Sequence, residues 1–316
     1  MRPLPPTRTN RPSPEGVLFR ESALAILFND ARMRLFQRLT RNGSNLFLRA
    51  DDLISARPQL FGVHEPAVTS LIRSFADNGH ADFLIDIGAN IGITSCQNGG
   101  AFRRVHMFEP NPMCCRILEV NAALALDPSC FVIHSFGLGA RDARARLTVP
   151  RHNWGGAFIR DANNAYSAEL LARKDGFDRF DAANYFDVDI ELRECAGALA
   201  EVFAGLADEG LVNGVIKIDV EGYEPTVLAG VAAALPANMK LMIVFESWDP
   251  GFDMTAVLNA FQGRATAYKL VRSTPWQRHW PEIVKAMTVL VNAKVQTRVV
   301  SNAGGEWRGD IVLQVT

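Results

Sequence analysis

Four apolar runs in this chain each close on a carboxylate, and the residues around those carboxylates decide what chemistry they can do. The first reads Phe83-Leu84-Ile85-Asp86-Ile87-Gly88-Ala89-Asn90-Ile91-Gly92 and the second Val105-His106-Met107-Phe108-Glu109-Pro110-Asn111-Pro112. The third is Ile216-Lys217-Ile218-Asp219-Val220-Glu221-Gly222-Tyr223-Glu224 and the fourth Val244-Phe245-Glu246-Ser247-Trp248. Gly88 and Gly92 let a turn approach a ligand closely, and a following helix offers free N–H groups at its start. No Gly-Lys-Ser/Thr follows, so the turn is not a P-loop. Ala89 and Asn90 stand where a dinucleotide-binding turn needs its second glycine, and Asp86 would repel a diphosphate. A ligand carrying an ammonium group suits Asp86 instead. Glu109 follows Asp86 by 23 residues, one β-α-β unit downstream, where a carboxylate accepts both hydroxyls of a ribose. An aminoacyl group at the first turn and a ribose at the second describe S-adenosylmethionine better than NAD.

An alternation of helices and strands must position these ends. The spacing predicts strands over 83–85, 105–108, 131–136, 144–149, 215–218 and 241–245, with helices over 67–75, 91–102, 112–126 and 225–234. Strands are also expected over 265–271 and 311–315, while 281–297 reads equally as helix or strand. Short apolar strands between helices, joined by right-handed crossovers, give a doubly wound Rossmann-like α/β sheet. Such sheets bind ligands beyond the carboxyl ends of their strands, so Asp86, Glu109, Asp219 and Glu246 are expected on one rim. Acids gathered there repel one another, which a cation or protonation relieves. Their open roles are general base, acceptor for a hydroxyl, or ligands for Mg2+ at Asp219 and Glu246. A charge at a helix N-terminus is the alternative for each, above all for Glu224. Between 150 and 214 no strand pattern stands out. Residues 175–209 hold ten acids and two Arg, which reads as one or two solvated helices or as a lid.

Taken together, the four strings resemble the FkbM-type family of S-adenosylmethionine-dependent methyltransferases, over roughly residues 60–250. The resemblance implies a seven-stranded Rossmann-like sheet and methyl transfer, usually to oxygen. Its acceptors are hydroxyls on surface polysaccharides, nodulation lipooligosaccharides or polyketide products. It implies that Asp86, Gly88, Asn90 and Gly92 hold the methionine moiety and Glu109 the ribose, with Asn111 in the same cofactor set. Glu65, in Gly62-Val63-His64-Glu65-Pro66, would close over the cofactor. Asn153-Trp154-Gly155-Gly156-Ala157 looks like the family's acceptor-side segment, joined by Glu221 and Trp248. One departure is Cys96-Gln97-Asn98-Gly99-Gly100, whose glycines each cost a helix about 1 kcal/mol relative to Ala, so that helix is expected to be short or irregular.

Methyl transfer needs an acceptor oxygen held in line and a group that takes its proton. Asp219 is the first candidate base, with Glu246 and His152 as others; an imidazole titrates in the right range. Trp154, Trp248, Trp276 and Trp280 either stack on the acceptor or fill the core, and His279 lies between the last two. The expected activity is O-methylation of a saccharide. The alternatives are methylation of a small secondary metabolite or peptide, or a non-catalytic cofactor-binding scaffold.

Composition sets the frame. The 316 residues are 48% hydrophobic and 21% charged, with 33 Lys+Arg against 34 Asp+Glu. That is a globular balance, and no global charge points to nucleic acid. Five cysteines without a Cys-x-x-Cys pair fit a reducing, cytoplasmic setting. Neither a signal peptide nor about 20 apolar residues in a row is present. Residues 1–15 are Pro- and Arg-rich and expected to lack fixed structure, and apolar residues between 17 and 39 recur at helical spacing. Residues 1–49 hold nine Arg and three acids. This basic head can dock on its own domain, on a second subunit in a homo-oligomer, or on an anionic membrane surface. The expected division is an extension over 1–60 and a methyltransferase domain over 61–316.

Overall fold

The computed structural model describes residues 22–161, 164, 167, 181–249, 251–274, 281–290, 295–301 and 305–316. Residues 1–15, Trp276, His279 and Trp280 lie outside them. The chain divides into two units, Met1–Asn42 and Gly43–Thr316. The first contains helix α1 (Ala23–Leu39). Residues 43–61 are bonded into the second unit. The Phe47 N–H donates to Asn121 Oδ1 at 2.7 Å, and the Trp154 N–H donates to Asp52 Oδ1 at 3.1 Å, just ahead of α2 (Leu53–Phe61).

Eight strands form the main sheet of the second unit. Five run parallel: β1 (Phe83–Ile87), β2 (Arg104–Phe108), β3 (Phe131–His134), β8 (Asn213–Ile218) and β9 (Lys240–Ser247). Three more pair antiparallel beyond β9: β12 (Gly309–Val315), β10 (Ala265–Ser273) and β11 (Gln296–Ser301). The order is β3-β2-β1-β8-β9-β12-β10-β11. Seven strands were expected, and β11 at the edge is the eighth. The ambiguous stretch 281–297 resolves into both elements, helix α9 (Glu282–Leu290) and then the start of β11.

Period-2 alternation assigns each strand residue to a face. Phe83, Ile85 and Ile87 pack with Ile216, Ile218, Ile243 and Phe245 beneath α6 (Cys195–Asp208), α7 (Glu224–Ala234) and α8 (Met254–Ala260). Leu84, Val105, Met107, Val215 and Val244 face α3 (Pro66–Asp77) and α5 (Pro112–Ala125) on the other side. Asp86 and Lys217 share the parity of Leu84 and Val215, and they are Cα partners in adjacent strands. The helix after Gly92 is short as expected: α4 (Ile93–Asn98) gives way to a 3-10 turn at Gly99–Ala101.

The interval after residue 150 departs from expectation. It contributes β6 (Phe158–Ile159) and β7 (Tyr185–Glu194) to a second sheet of order β4-β7-β5-β6, with β4 (Gly137–Gly139) and β5 (Ala143–Pro150). Along β7, Val188, Ile190 and Leu192 turn inward while Asp187, Asp189, Glu191 and Arg193 are exposed. Three of the ten acids read as a solvated helix, Asp187, Asp189 and Glu191, therefore lie on the wet face of a strand. Among the described residues of this interval, α6 is the covering helix of the expected kind.

Candidate active site

Strand order reverses between β1 and β8, and a cleft opens at their carboxyl ends, as doubly wound sheets require. It encloses about 650 Å³ of empty space, mouth included, between Gly88, Asn90, Glu109, Asp219, Glu221 and Tyr223. Trp154 and Phe158 line it from the side of the second sheet, and Phe136 from the approach to β4. The mix of apolar walls with a few polar groups suits a small-molecule site.

Gly88 has φ +84°, a left-handed backbone that glycine adopts without strain. A Cβ at this position would run into the backbone carbonyl of Asp219. The requirement for glycine therefore comes from the packing of two strand ends as well as from ligand approach. The Gly88 and Ala89 N–H groups both donate to the Phe108 carbonyl at 2.9 Å, which fixes the turn against β2. Asn90 also has a positive φ, and its Oδ1 accepts from the Ile91 N–H at 2.7 Å. Gly92 is buried away from the cleft, where a side chain would strike Leu118. Its role is to seat α4 on α5.

Glu109 is the best-defined polar group of the cleft. Oε2 accepts from the Asn90 N–H at 2.8 Å and Oε1 from the Asn111 N–H at 2.7 Å. Burial raises its pKa to about 7 against the opposing pull of those two N–H groups. Each oxygen keeps acceptor capacity for a hydroxyl donor. Asn111 caps α5 by accepting from the Met113 N–H, and its buried Nδ2 finds no hydrogen-bond partner among the described residues.

Asp86 is 0% exposed and does not line the cleft. Its Oδ2 accepts from Ser95 Oγ at 2.7 Å, and Oδ1 lies 3.9 Å from Lys217 Nζ. Burial pushes its pKa up, while the Lys217 ammonium opposes the shift. Asp86 thus braces the turn from beneath. Lys217, which spacing alone did not single out, is the cation the crowded acids call for. Nζ donates to Asp219 Oδ2 at 2.8 Å. Burial works against its charge, but Asp219, Asp86 and Glu65 more than offset that and hold it protonated. Pairing Lys217 in Ile216-Lys217-Ile218 with Asp86 in Ile85-Asp86-Ile87 across neighbouring strands would have found it.

The Asp219 side chain is 41% exposed and lines both the cleft and a smaller recess bounded by Glu65, Glu246 and Asp310. Burial lifts Asp310 to about 6, reinforced by Glu65 and Asp219. Glu65 caps α3 in a left-handed conformation, 3.9 Å from His64 Nε2. The rim expected from the strand ends is thus split, with Glu109 on one side of Asp219 and Glu246 on the other.

The other candidates fall elsewhere. His152 is paired at 3.1 Å with Asp51, its side chain 59% exposed, and lines a separate groove with Asn153. Neither residue borders the cleft, because the turn after β5 points them toward α2. Trp248 also stands outside it, with the Arg308 guanidinium 5.6 Å over its ring. Of the segment 153–157, Trp154, Gly155 and Ala157 do line the cleft. Sequence reasoning overlooked Tyr223 as a wall residue; its hydroxyl donates to Asp161 Oδ2 at 2.6 Å. Among the described residues, no group of three His, Cys, Asp or Glu gathers to hold a metal ion. Mg2+ at Asp219 would sit against the Lys217 ammonium, so the residues present do not fit it.

The chain matches the methyltransferase FkbM domain over residues 86–264, more than half its length. No curated protein matches it. Among solved structures it is similar to precorrin-6y C5,15-methyltransferase of Geobacter metallireducens, at 9% identity over 86% of this chain and 94% of that one, with a TM-score of 0.40. It is also similar to a putative O-methyltransferase of Klebsiella pneumoniae, at 11% identity over 93% and 97% of the two chains, TM-score 0.38. The FkbM methyltransferase of Methylobacillus flagellatus is 15% identical over 90% of this chain, which spans 59% of that longer one, TM-score 0.36. With the domain match covering the turn after β1, the Glu109 strand end and the Asp219 strand end, the chain belongs to the FkbM family of S-adenosylmethionine-dependent methyltransferases.

Proposed function

We propose that the chain transfers a methyl group to a hydroxyl oxygen of a saccharide, with Asp219 taking the hydroxyl proton. The observation that carries this reading is the Asp219 carboxylate itself. It is the half-exposed acid beside the Gly88 turn, steadied on one oxygen by Lys217. Glu109 accepts the ribose hydroxyls of S-adenosylmethionine, and the backbone from Gly88 to Asn90 follows its aminoacyl end. When bound, that cofactor supplies an electrophilic methyl group on a sulfonium.

Trp154 and Tyr223 offer flat apolar walls for a sugar face, and the Glu221 carboxylate accepts from its hydroxyls. Lys217 holds the Asp219 carboxylate in place as the acceptor for the reacting O–H. No step runs through a metal, because Lys217 already supplies the positive charge.

Asp219→Asn tests the assignment. Calorimetric affinity for S-adenosylmethionine is expected to stay within about threefold, while S-adenosylhomocysteine release with methyl glycosides falls about 10²–10⁴-fold, the usual share of a general base. Undiminished turnover would remove Asp219 from the reaction. Methylation confined to amine or carbon acceptors in the same panel would remove the saccharide hydroxyl.

A further inference from the structure

Helix α1 carries large apolar side chains that stand exposed among the described residues. Leu24, Leu27, Phe28, Leu35 and Leu39 are 55–66% exposed, whereas the apolar residues of the second unit's core are at most 9% exposed. At about 100° per residue these five fall within an arc of about 120°, a continuous stripe along the helix. Arg34 stands at one border of that stripe and Arg32 at the other, between it and Phe36, while Arg38 falls within the arc between Leu27 and Leu24. Between residues 22 and 42 the chain has four Arg and a single acid, Asp30.

We propose that α1 lies flat on an anionic bilayer surface, its leucine stripe among the acyl-chain ends and its arginines on the lipid headgroups. The charge pattern decides between occupants. A second copy of α1 laid on the stripe would set arginine against arginine, with only Asp30 to offset the repulsion. Anionic headgroups complement both borders at once. Arginine stems reach from an apolar surface to the headgroup level, so Arg38 can sit within the stripe and still place its charge at the headgroups. The helix has 17 residues, about 26 Å at the usual rise, and no described helix is long and apolar enough to cross a membrane. A short helix with an exposed leucine stripe flanked by arginines has the makeup of an interfacial segment.

Co-sedimentation of the full chain with vesicles tests this, using phosphatidylcholine alone against phosphatidylcholine with phosphatidylserine. Pelleting is expected with the anionic vesicles, weakened by salt, and absent with the neutral ones. Arg34→Gln with Arg38→Gln is expected to weaken partitioning about 30-fold, at about fivefold per arginine. Leu27→Ser with Leu35→Ser is expected to abolish it with the melting temperature unchanged. The proposal is overturned if anionic vesicles bring down no protein, or if the leucine variant pellets like wild type. It is also overturned if sedimentation velocity shows a stable oligomer that only the leucine variant dissolves, with no vesicle binding.

Discussion

Replacing Lys217 by Met removes the one ammonium between Asp86 and Asp219 and is the sharpest probe of the site's electrostatics. Asp86 would keep a single side-chain donor, Ser95, at zero exposure. At 3.9 Å and an effective dielectric constant of about 20, the lost Asp86–Lys217 attraction is about 4 kcal/mol. Asp219 is partly solvated, so its share is screened and counts for less. Protonation of Asp86 caps the penalty, and a loss of about 3 kcal/mol is expected, in line with breaking a buried pair from one side. Asp86→Asn with Lys217→Met removes both charges and is expected to recover most of that loss. Urea unfolding of the four proteins at neutral pH closes the cycle, with an expected coupling of about 2–4 kcal/mol. A coupling below about 0.5 kcal/mol, or a Lys217→Met protein as stable as wild type, would refute the claim that these strands are joined by a buried ion pair.

Burial raises the Glu109 pKa to about 7, and the ionised carboxylate is the better acceptor for the ribose hydroxyls, so affinity for S-adenosylmethionine is expected to fall as pH drops through that value, and Glu109→Gln to flatten the profile in calorimetric titrations. The same shift costs stability as pH rises from about 4.5 to about 7, because the native state there holds a proton the unfolded chain has released. Gly88→Ala is expected to cost well over 1 kcal/mol and to abolish cofactor binding, since φ is +84° and a Cβ meets the Asp219 carbonyl. Gly79→Ala, with positive φ but open space, should show only the backbone part in the same melts. His106 and His134 sit with ring nitrogens 3.1 Å apart, and burial lowers both to about 4. The unfolded chain therefore takes up protons first, and stability is lost as pH falls from about 6.5 toward 4. His106→Leu with His134→Phe should reduce that acid sensitivity in thermal melts, and an unchanged pH slope would count against it.

What could be read from the sequence follows period and punctuation. Strands β1, β2, β8 and β9 are short apolar runs closed by Gly, Asn or Pro, so both the strands and the acids at their tips were visible. The face each acid takes was not, because it depends on strand parity combined with which strands become neighbours. Asp86 went beneath the turn for that reason, and its partner Lys217 passed as one charge in an apolar run. Strand β7 was hidden by composition: its alternation is regular, but its exposed positions are almost all acids. His152 has the right chemistry and the wrong address, since the direction of a turn between β5 and a 3-10 segment is not encoded in spacing. Glycine likewise told that a turn was needed at 88 and 92 without telling that one lines the cleft and the other seats a helix.

The placement of β12 has a consequence for how the molecule is made. This strand lies between β9 and β10, paired on both sides, although it follows both in the chain. Until it arrives, β9 and β10 face each other across a gap one strand wide, each with an unsatisfied edge of N–H and C=O groups. Closing that gap requires contacts between segments more than forty residues apart, which slows folding and leaves open edges available for mispairing. Assembly of the sheet therefore ends in its interior, and substitutions in Ile311–Val315 should alter the yield of folded protein before they alter anything the finished enzyme does.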